Sequence, residues 1–156
     1  MIIEIFIHRL AQRLIQKKEG TGAGLVHYHL GDIGNTFSVP GTTRIGLGKK
    51  ATAYNAEMLA LAITGTQIAD LAHDSLQAGS LISELRIYSD STSALINITD
   101  PSPHLGQIFS LLFINNIKQA WLTIPSLQIF LNWSPGHVNV LGNEAADREA
   151  RLPQAV

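Results

Sequence analysis

The segment from Ala51 to Ala72 constrains the fold more than any other part of the chain. It runs without a proline, and its centre is apolar almost all the way round. Such a pattern describes a helix buried on most of its circumference rather than one lying on a surface. A helix of that kind needs other layers around it, and the flanking sequence supplies them. Residues 2–7 (Ile-Ile-Glu-Ile-Phe-Ile) read as a strand from their β-branched and aromatic content. Leu25 to Leu30 and Thr36 to Gly48 read as two more strands, joined by a turn over Gly31 to Asn35, the second bent at Pro40-Gly41. Thr21-Gly22-Ala23-Gly24 forms a turn or the start of a strand. Residues 9–19 are basic and amphipathic, with Leu10, Leu14 and Ile15 near helical spacing.

After the long helix, residues 73–83 read as a loop. Leu85 to Ser89 then read as a strand ending at Asp90. Ser91 is placed to cap a short helix over Thr92 to Ile98, and Asp100-Pro101-Ser102-Pro103 stops it. Gly106 to Trp121 is helical. In 127–133 the residues Leu127, Ile129, Leu131 and Trp133 alternate with polar or exposed positions, as in a strand. Ser134-Pro135-Gly136 is a loop, and Gly142 to Arg151 is a last helix. The order β-β-β-α-β-α-α-β-α implies an α/β domain with a mixed five-stranded sheet and helices on both faces. The first three strands are expected to be antiparallel neighbours, with 85–89 and 127–133 parallel to the first. With 156 residues and no linker or repeat, residues 1–156 form one domain.

Composition narrows the chemistry. The chain has no cysteine, which excludes a disulfide scaffold, a thiolate zinc site and a cysteine nucleophile. With 46% hydrophobic and 15% charged residues it has the makings of a packed core. A net charge of −1 argues against binding nucleic acid by bulk electrostatics alone. The basic residues are uneven, however, with Arg9, Arg13, Lys17, Lys18, Arg44, Lys49 and Lys50 all in the first third. No apolar run approaches the ~20 residues that cross a bilayer, and the start lacks a basic leader. The expectation is a soluble intracellular protein with no membrane partner.

Four residues stand out as chemically active. Glu57 is a lone carboxylate in an apolar helix, expensive to bury unless it is paired or bound to a cation; its ordinary reading is a helix-surface glutamate. Asp90 ends a buried strand, where open α/β sheets place their ligand crevices; its ordinary reading is a cap or turn residue. Asp147 lies three residues after Glu144 on one helical face, where acids also complement the helix dipole. His137 lies in the loop before that helix and titrates near neutral pH; the ordinary reading is a surface histidine.

Together these residues sit in an ordered pattern. The segments Tyr54-Asn55-Ala56-Glu57, Ile87-Tyr88-Ser89-Asp90-Ser91 and Trp133-Ser134-Pro135-Gly136-His137-Val138-Asn139-Val140-Leu141-Gly142-Asn143-Glu144-Ala145-Ala146-Asp147 resemble ribonuclease H of type 1. The closest likeness is to the ribonuclease H domain of fungal non-LTR retrotransposons, and Thr21-Gly22-Ala23-Gly24-Leu25-Val26 is similar to the second strand of that group. The likeness covers roughly residues 21–151. It implies a ribonuclease H–like fold, hydrolysis of the RNA strand of RNA–DNA hybrids, two Mg²⁺ ions with Mn²⁺ as a possible substitute, and origin in a larger retrotransposon polyprotein.

It also implies Glu57, Asp90 and Asp147 as metal ligands, His137 as the loop histidine that assists proton transfer or product release, and Asn143 as an auxiliary polar residue. Ser91, Thr52 and Asn55 are expected to be auxiliary or to face substrate. Two Mg²⁺ ions about 4 Å apart would clamp the attacking water and the leaving 3′-oxygen, and Mg²⁺ prefers hard oxygen ligands.

One departure accompanies the likeness. The family's fourth carboxylate ends the first strand in an Asp-Gly-Ser motif, whereas this chain has Ile5-Phe6-Ile7-His8-Arg9 there and no Asp before Asp32. His8 takes the nearest equivalent position, and Glu4, on the same strand face, is the nearest acid. An alternative function follows: a catalytically impaired ribonuclease H–like remnant that binds nucleic acid or a protein partner. An integrase-like or exonuclease-like nuclease would share the fold, but the run from Gly136 to Asp147 favours ribonuclease H.

Overall fold

A computed structural model describes residues 1–11, 21–30, 37–48 and 51–135. The chain is an α/β protein whose elements run β1 (Ile2–Ala11), β2 (Thr21–Leu30), β3 (Phe37–Gly48), α1 (Ala53–Gln77), β4 (Glu84–Ser89), α2 (Thr92–Asn97), α3 (Gln107–Thr123) and β5 (Gln128–Trp133). The strands hydrogen-bond side by side in the order β3-β2-β1-β4-β5. β1–β2 and β2–β3 are antiparallel; β1–β4 and β4–β5 are parallel, as the order of elements implies. The helix expected over 142–151 lies outside the described residues, as do His137, Asn143 and Asp147.

Three boundaries differ from the sequence reading. Arg9, Leu10 and Ala11 continue β1, because β1 stays paired with β2 as far as Ala11 opposite Thr21. That ladder overrides the helical spacing suggested by a few apolar residues, and the same pairing makes 21–24 strand rather than turn. The long helix runs on through residues 73–77, which carry no breaker. It stops where Gly79 takes the left-handed conformation (φ 68°), the amides of Gly79 and Ser80 bonding back to the carbonyls of Leu76 and Ser75. Along β5 the inward pattern fades: Leu127 is buried and Ile129 and Leu131 are half-buried, but Trp133 is 59% exposed. Among the described residues β5 lies at the margin of the sheet, next to β4.

The core lies between the sheet and the helices. Ile3, Ile5 and Ile7 on β1 and Leu85 and Ile87 on β4 are buried with Ala56, Met58, Ala60, Leu61, Ile68 and Ala72 of α1. Phe113, Ile117 and Ala120 of α3 pack into the same cluster. Period-2 burial on β4, and the burial of α1 along its centre, where no residue from Ala56 to Gly65 is exposed, are what the apolar patterns demand. The two helices α1 and α3 approach so closely that a Cβ on Gly65 would lie 3.0 Å from Phe113 Cδ2 and 3.2 Å from its backbone.

Candidate active site

The site begins with Glu57, just past the first turn of α1. Its side chain is fully buried, which removes the surface-glutamate reading. A buried carboxylate needs donors or a cation to offset lost hydration. One donor is Ser89 at the end of β4, also fully buried, whose hydroxyl bonds to Glu57 Oε2 at 2.9 Å. Ser89 Oγ in turn accepts the amide N–H of Ser91 at 3.1 Å. One hydroxyl therefore links the helix carboxylate to the turn that carries Asp90.

Asp90 is half-buried immediately beyond β4. It is not the cap of α2: Ser91 performs that role, accepting the amide of Ala94. The carbonyl of Asp90 accepts the indole N–H of Trp133 at 3.3 Å, so the end of β5 also holds this turn. Thr52 caps α1 by accepting the amide of Asn55 at 3.1 Å, and Thr52 is exposed at the mouth of the same helix. The structure thus links Glu57 to the turn that carries Asp90 and Ser91, with Asn55 about half a turn and Thr52 about one and a half turns before Glu57 on α1.

The first strand supplies a further placement. β1 and β4 are parallel, and their last paired residues are Ile7 and Ser89. His8 and Asp90 each follow directly, so His8 occupies the register position beside Asp90. Glu4 does not take that place. It pairs in register with Arg86, roughly 13 Å back along the strand from His8. Its carboxylate accepts the Tyr88 hydroxyl at 3.2 Å and lies 3.8 Å from the Arg86 guanidinium.

Glu57 and Asp90 offer hard carboxylate oxygens, a donor set suited to Mg²⁺ or Mn²⁺, and the burial of Glu57 beside a strand-end aspartate fits a divalent ion there. No group of three or more acidic, histidine or cysteine donors arranged for a metal occurs among the described residues. Two residues escaped the sequence reading. Ser89 looked like an ordinary strand residue, although its place directly before Asp90 was a signal. Trp133 looked like a core residue of β5. No helix among the described residues is long and apolar enough to cross a membrane.

No protein-family model matches the sequence, and no curated protein does either. Solved structures do match. The ribonuclease H domain of the foamy virus PFV aligns at a TM-score of 0.60 and 15% identity, covering 96% of this chain and 90% of that one. The N-terminal ribonuclease H domain of a Mycobacterium tuberculosis protein aligns at 0.56 and 18%, covering 96% and 90%. A ribonuclease H1 isolated from compost by a metagenomic approach, LC11, solved in complex with an RNA/DNA hybrid, aligns at 0.55 and 17%, covering 94% of each chain. Sheet order, helix placement and near-complete coverage by these structures agree: the chain has the ribonuclease H fold.

Proposed function

We propose that the chain is a ribonuclease H–like nuclease acting on the RNA strand of RNA–DNA hybrids. The observation that carries this reading is the buried Glu57, tied through Ser89 to the strand end that bears Asp90. On this fold, a carboxylate pair at that place binds divalent ions. Glu57 and Asp90 hold the ion, and Asp147 is assigned as the third ligand. His137 is assigned to move a proton or assist product release, and Asn143 is assigned as an auxiliary polar residue. A divalent ion held by these carboxylates would supply activation of a water and charge stabilisation at the leaving 3′-oxygen.

Thr52 and Asn55 at the start of α1 and Ser91 at the start of α2 are assigned to the substrate. Recognition depends on shape, through the wide minor groove of a hybrid and its 2′-hydroxyls. LC11, which shares the fold, was crystallised with such a hybrid. Origin in a larger retrotransposon polyprotein belongs to the same reading.

A second reading has its own support. His8, not a carboxylate, holds the register position beside Asp90, and Glu4 is engaged elsewhere. The chain then binds hybrids but cleaves them poorly, as an impaired remnant would. A labelled RNA–DNA hybrid incubated with the protein and Mg²⁺ or Mn²⁺ separates the two. Cleavage lost in Glu57→Gln supports the nuclease. Hybrid binding above that of double-stranded DNA, without cleavage, supports the remnant. Equal binding of both duplexes and no cleavage overturns the proposal.

A further inference from the structure

The hydrogen bonds around Asp90 form a closed circuit, and two of its members have no role in the function proposed above. From Glu57 Oε2 the circuit passes to Ser89 Oγ at 2.9 Å, then to the amide of Ser91 at 3.1 Å. It continues through the backbone of α2, whose first turn is closed by the Leu95 amide on the Ser91 carbonyl at 3.0 Å. At the far end of α2, Asn97 Nδ2 donates to the Tyr54 hydroxyl at 2.8 Å. Tyr54 lies three residues before Glu57 on the same face of α1, which closes the ring. The Ser89–Ser91 bond of this circuit spans Asp90, which lies between the two in the chain.

The Tyr54 corner is fastened from a second side. Its hydroxyl donates to the Leu105 carbonyl at 2.9 Å. That approach relies on Gly106 at φ 85°, where an added Cβ would stand 3.4 Å from Tyr54 Cε1 and from Met58 Cε. Asn97 is fastened in turn: its carbonyl accepts the Ser110 hydroxyl at 2.7 Å and the Asp100 amide at 3.0 Å. Tyr54 OH is thus a saturated junction of α1, α2 and the loop that leads into α3. A tyrosine needed for packing alone would not require its hydroxyl at such a junction.

We infer that Tyr54 and Asn97 are positioning residues: their bond closes the ring that sets Asp90 against Glu57, so the carboxylate pair is spaced for a divalent ion before one arrives. The inference rests on the divalent-ion reading of that pair. Neither residue is assigned to substrate or ion; both act through α2. Partners that orient ligands are typically worth 10–100-fold in metal affinity.

The test uses the full chain and two readouts. The first is Mn²⁺ affinity, followed by electron paramagnetic resonance of free Mn²⁺, with hybrid cleavage resolved into kcat and KM. The second needs no ion: the indole N–H resonance of Trp133, which bonds to the Asp90 carbonyl, with Trp121, bonded to the Leu127 carbonyl, as internal control. Trp121→Phe assigns the two signals. Tyr54→Phe keeps the ring and removes the hydroxyl.

In Tyr54→Phe and in Asn97→Ala we expect Mn²⁺ affinity to fall about 10-fold, kcat to fall with it, and KM for hybrid to stay within about twofold. The Trp133 indole signal should move while that of Trp121 stays. The double variant should be no worse than Tyr54→Phe alone, because the bond that Asn97→Ala removes is already absent there. Unchanged Mn²⁺ affinity and an unmoved Trp133 signal in both variants overturn the inference. If the unmodified chain binds no Mn²⁺, the divalent-ion reading fails instead, and the Trp133 signal still decides whether the ring positions Asp90.

Discussion

Ser89 Oγ donates to Oε2 of Glu57 at 2.9 Å, joining the last residue of β4 to a fully buried carboxylate on α1. Removing one partner of a buried hydrogen bond exposes the other to the desolvation penalty, about 1–3 kcal/mol and more for a charged group. Ser89→Ala should therefore lose at least that much stability in urea denaturation. Glu57→Gln keeps an oxygen that accepts from Ser89 but removes the buried charge. Its stability should equal or exceed that of the unmodified chain, while divalent-ion affinity and cleavage are lost. A Glu57→Gln chain that binds Mn²⁺ normally would remove Glu57 from the ligand set.

His8 stands beside Asp90 in register, so the first strand offers an imidazole-bearing residue where a carboxylate suits Mg²⁺ better. Cleavage with Mg²⁺ should be weak and relatively better with Mn²⁺, which accepts imidazole more readily. Replacing His8→Asp should raise the Mg²⁺ rate on a labelled hybrid by about 10²-fold or more, the value of one preorganised transition-state contact. Equal rates before and after substitution would show that this register position is not part of the ligand set.

Tyr88 tests the other face of the sheet. Burial, then the charge of Glu4 and the hydrogen bond to it, push the Tyr88 phenol above the ordinary tyrosine value. The fold thus favours the neutral phenol. Its contribution is fully present below the ordinary phenol range and is lost as pH rises through the higher folded value. In a tyrosinate absorbance titration, Glu4→Gln should lower the Tyr88 midpoint without returning it to the ordinary value, because burial remains. Divalent-ion affinity should not change, since Glu4 lies far back along β1.

Gly65 sets two effects against each other. Alanine improves helix propensity by about 1 kcal/mol, but its Cβ would meet Phe113 Cδ2 at 3.0 Å and the α3 backbone at Phe113 at 3.2 Å. Overpacking against a backbone atom costs about 1–3 kcal/mol. Clash should win, and Gly65→Ala should lower the thermal midpoint. Adding Phe113→Leu relieves the clash with the ring but not the one with the α3 backbone, so it should restore part of the loss and not all of it.

The sequence by itself determined the elements whose signals are local. The period-2 apolar pattern of β4, the nearly all-round apolar centre of α1, Ser91 as a cap and the breakers after α2 are each written in a few neighbouring residues. The structure keeps them because burial and capping act over the same short range. Glu57 and Asp90 stand out in the sequence as candidates for a related reason: a carboxylate in an apolar helix and one ending an apolar strand are costly placements that demand an account.

Tertiary structure decided what depends on pairing between distant segments. β1 continues through Arg9 and Leu10 because Thr21 to Gly24 hydrogen-bond to it across the sheet, and no local spacing announces a partner ten or more residues away. Register placed His8 beside Asp90 and removed Glu4 to Arg86, Tyr88 and the opposite end of the strand. Ser89, Tyr54 and Asn97 became parts of one ring because three elements converge there, and a hydroxyl or amide shows no such role until its partner is in reach. Hydrogen bonds are directional and short-ranged, so which polar groups meet is settled by the packing of the apolar core around them, not by the residues on either side in the chain.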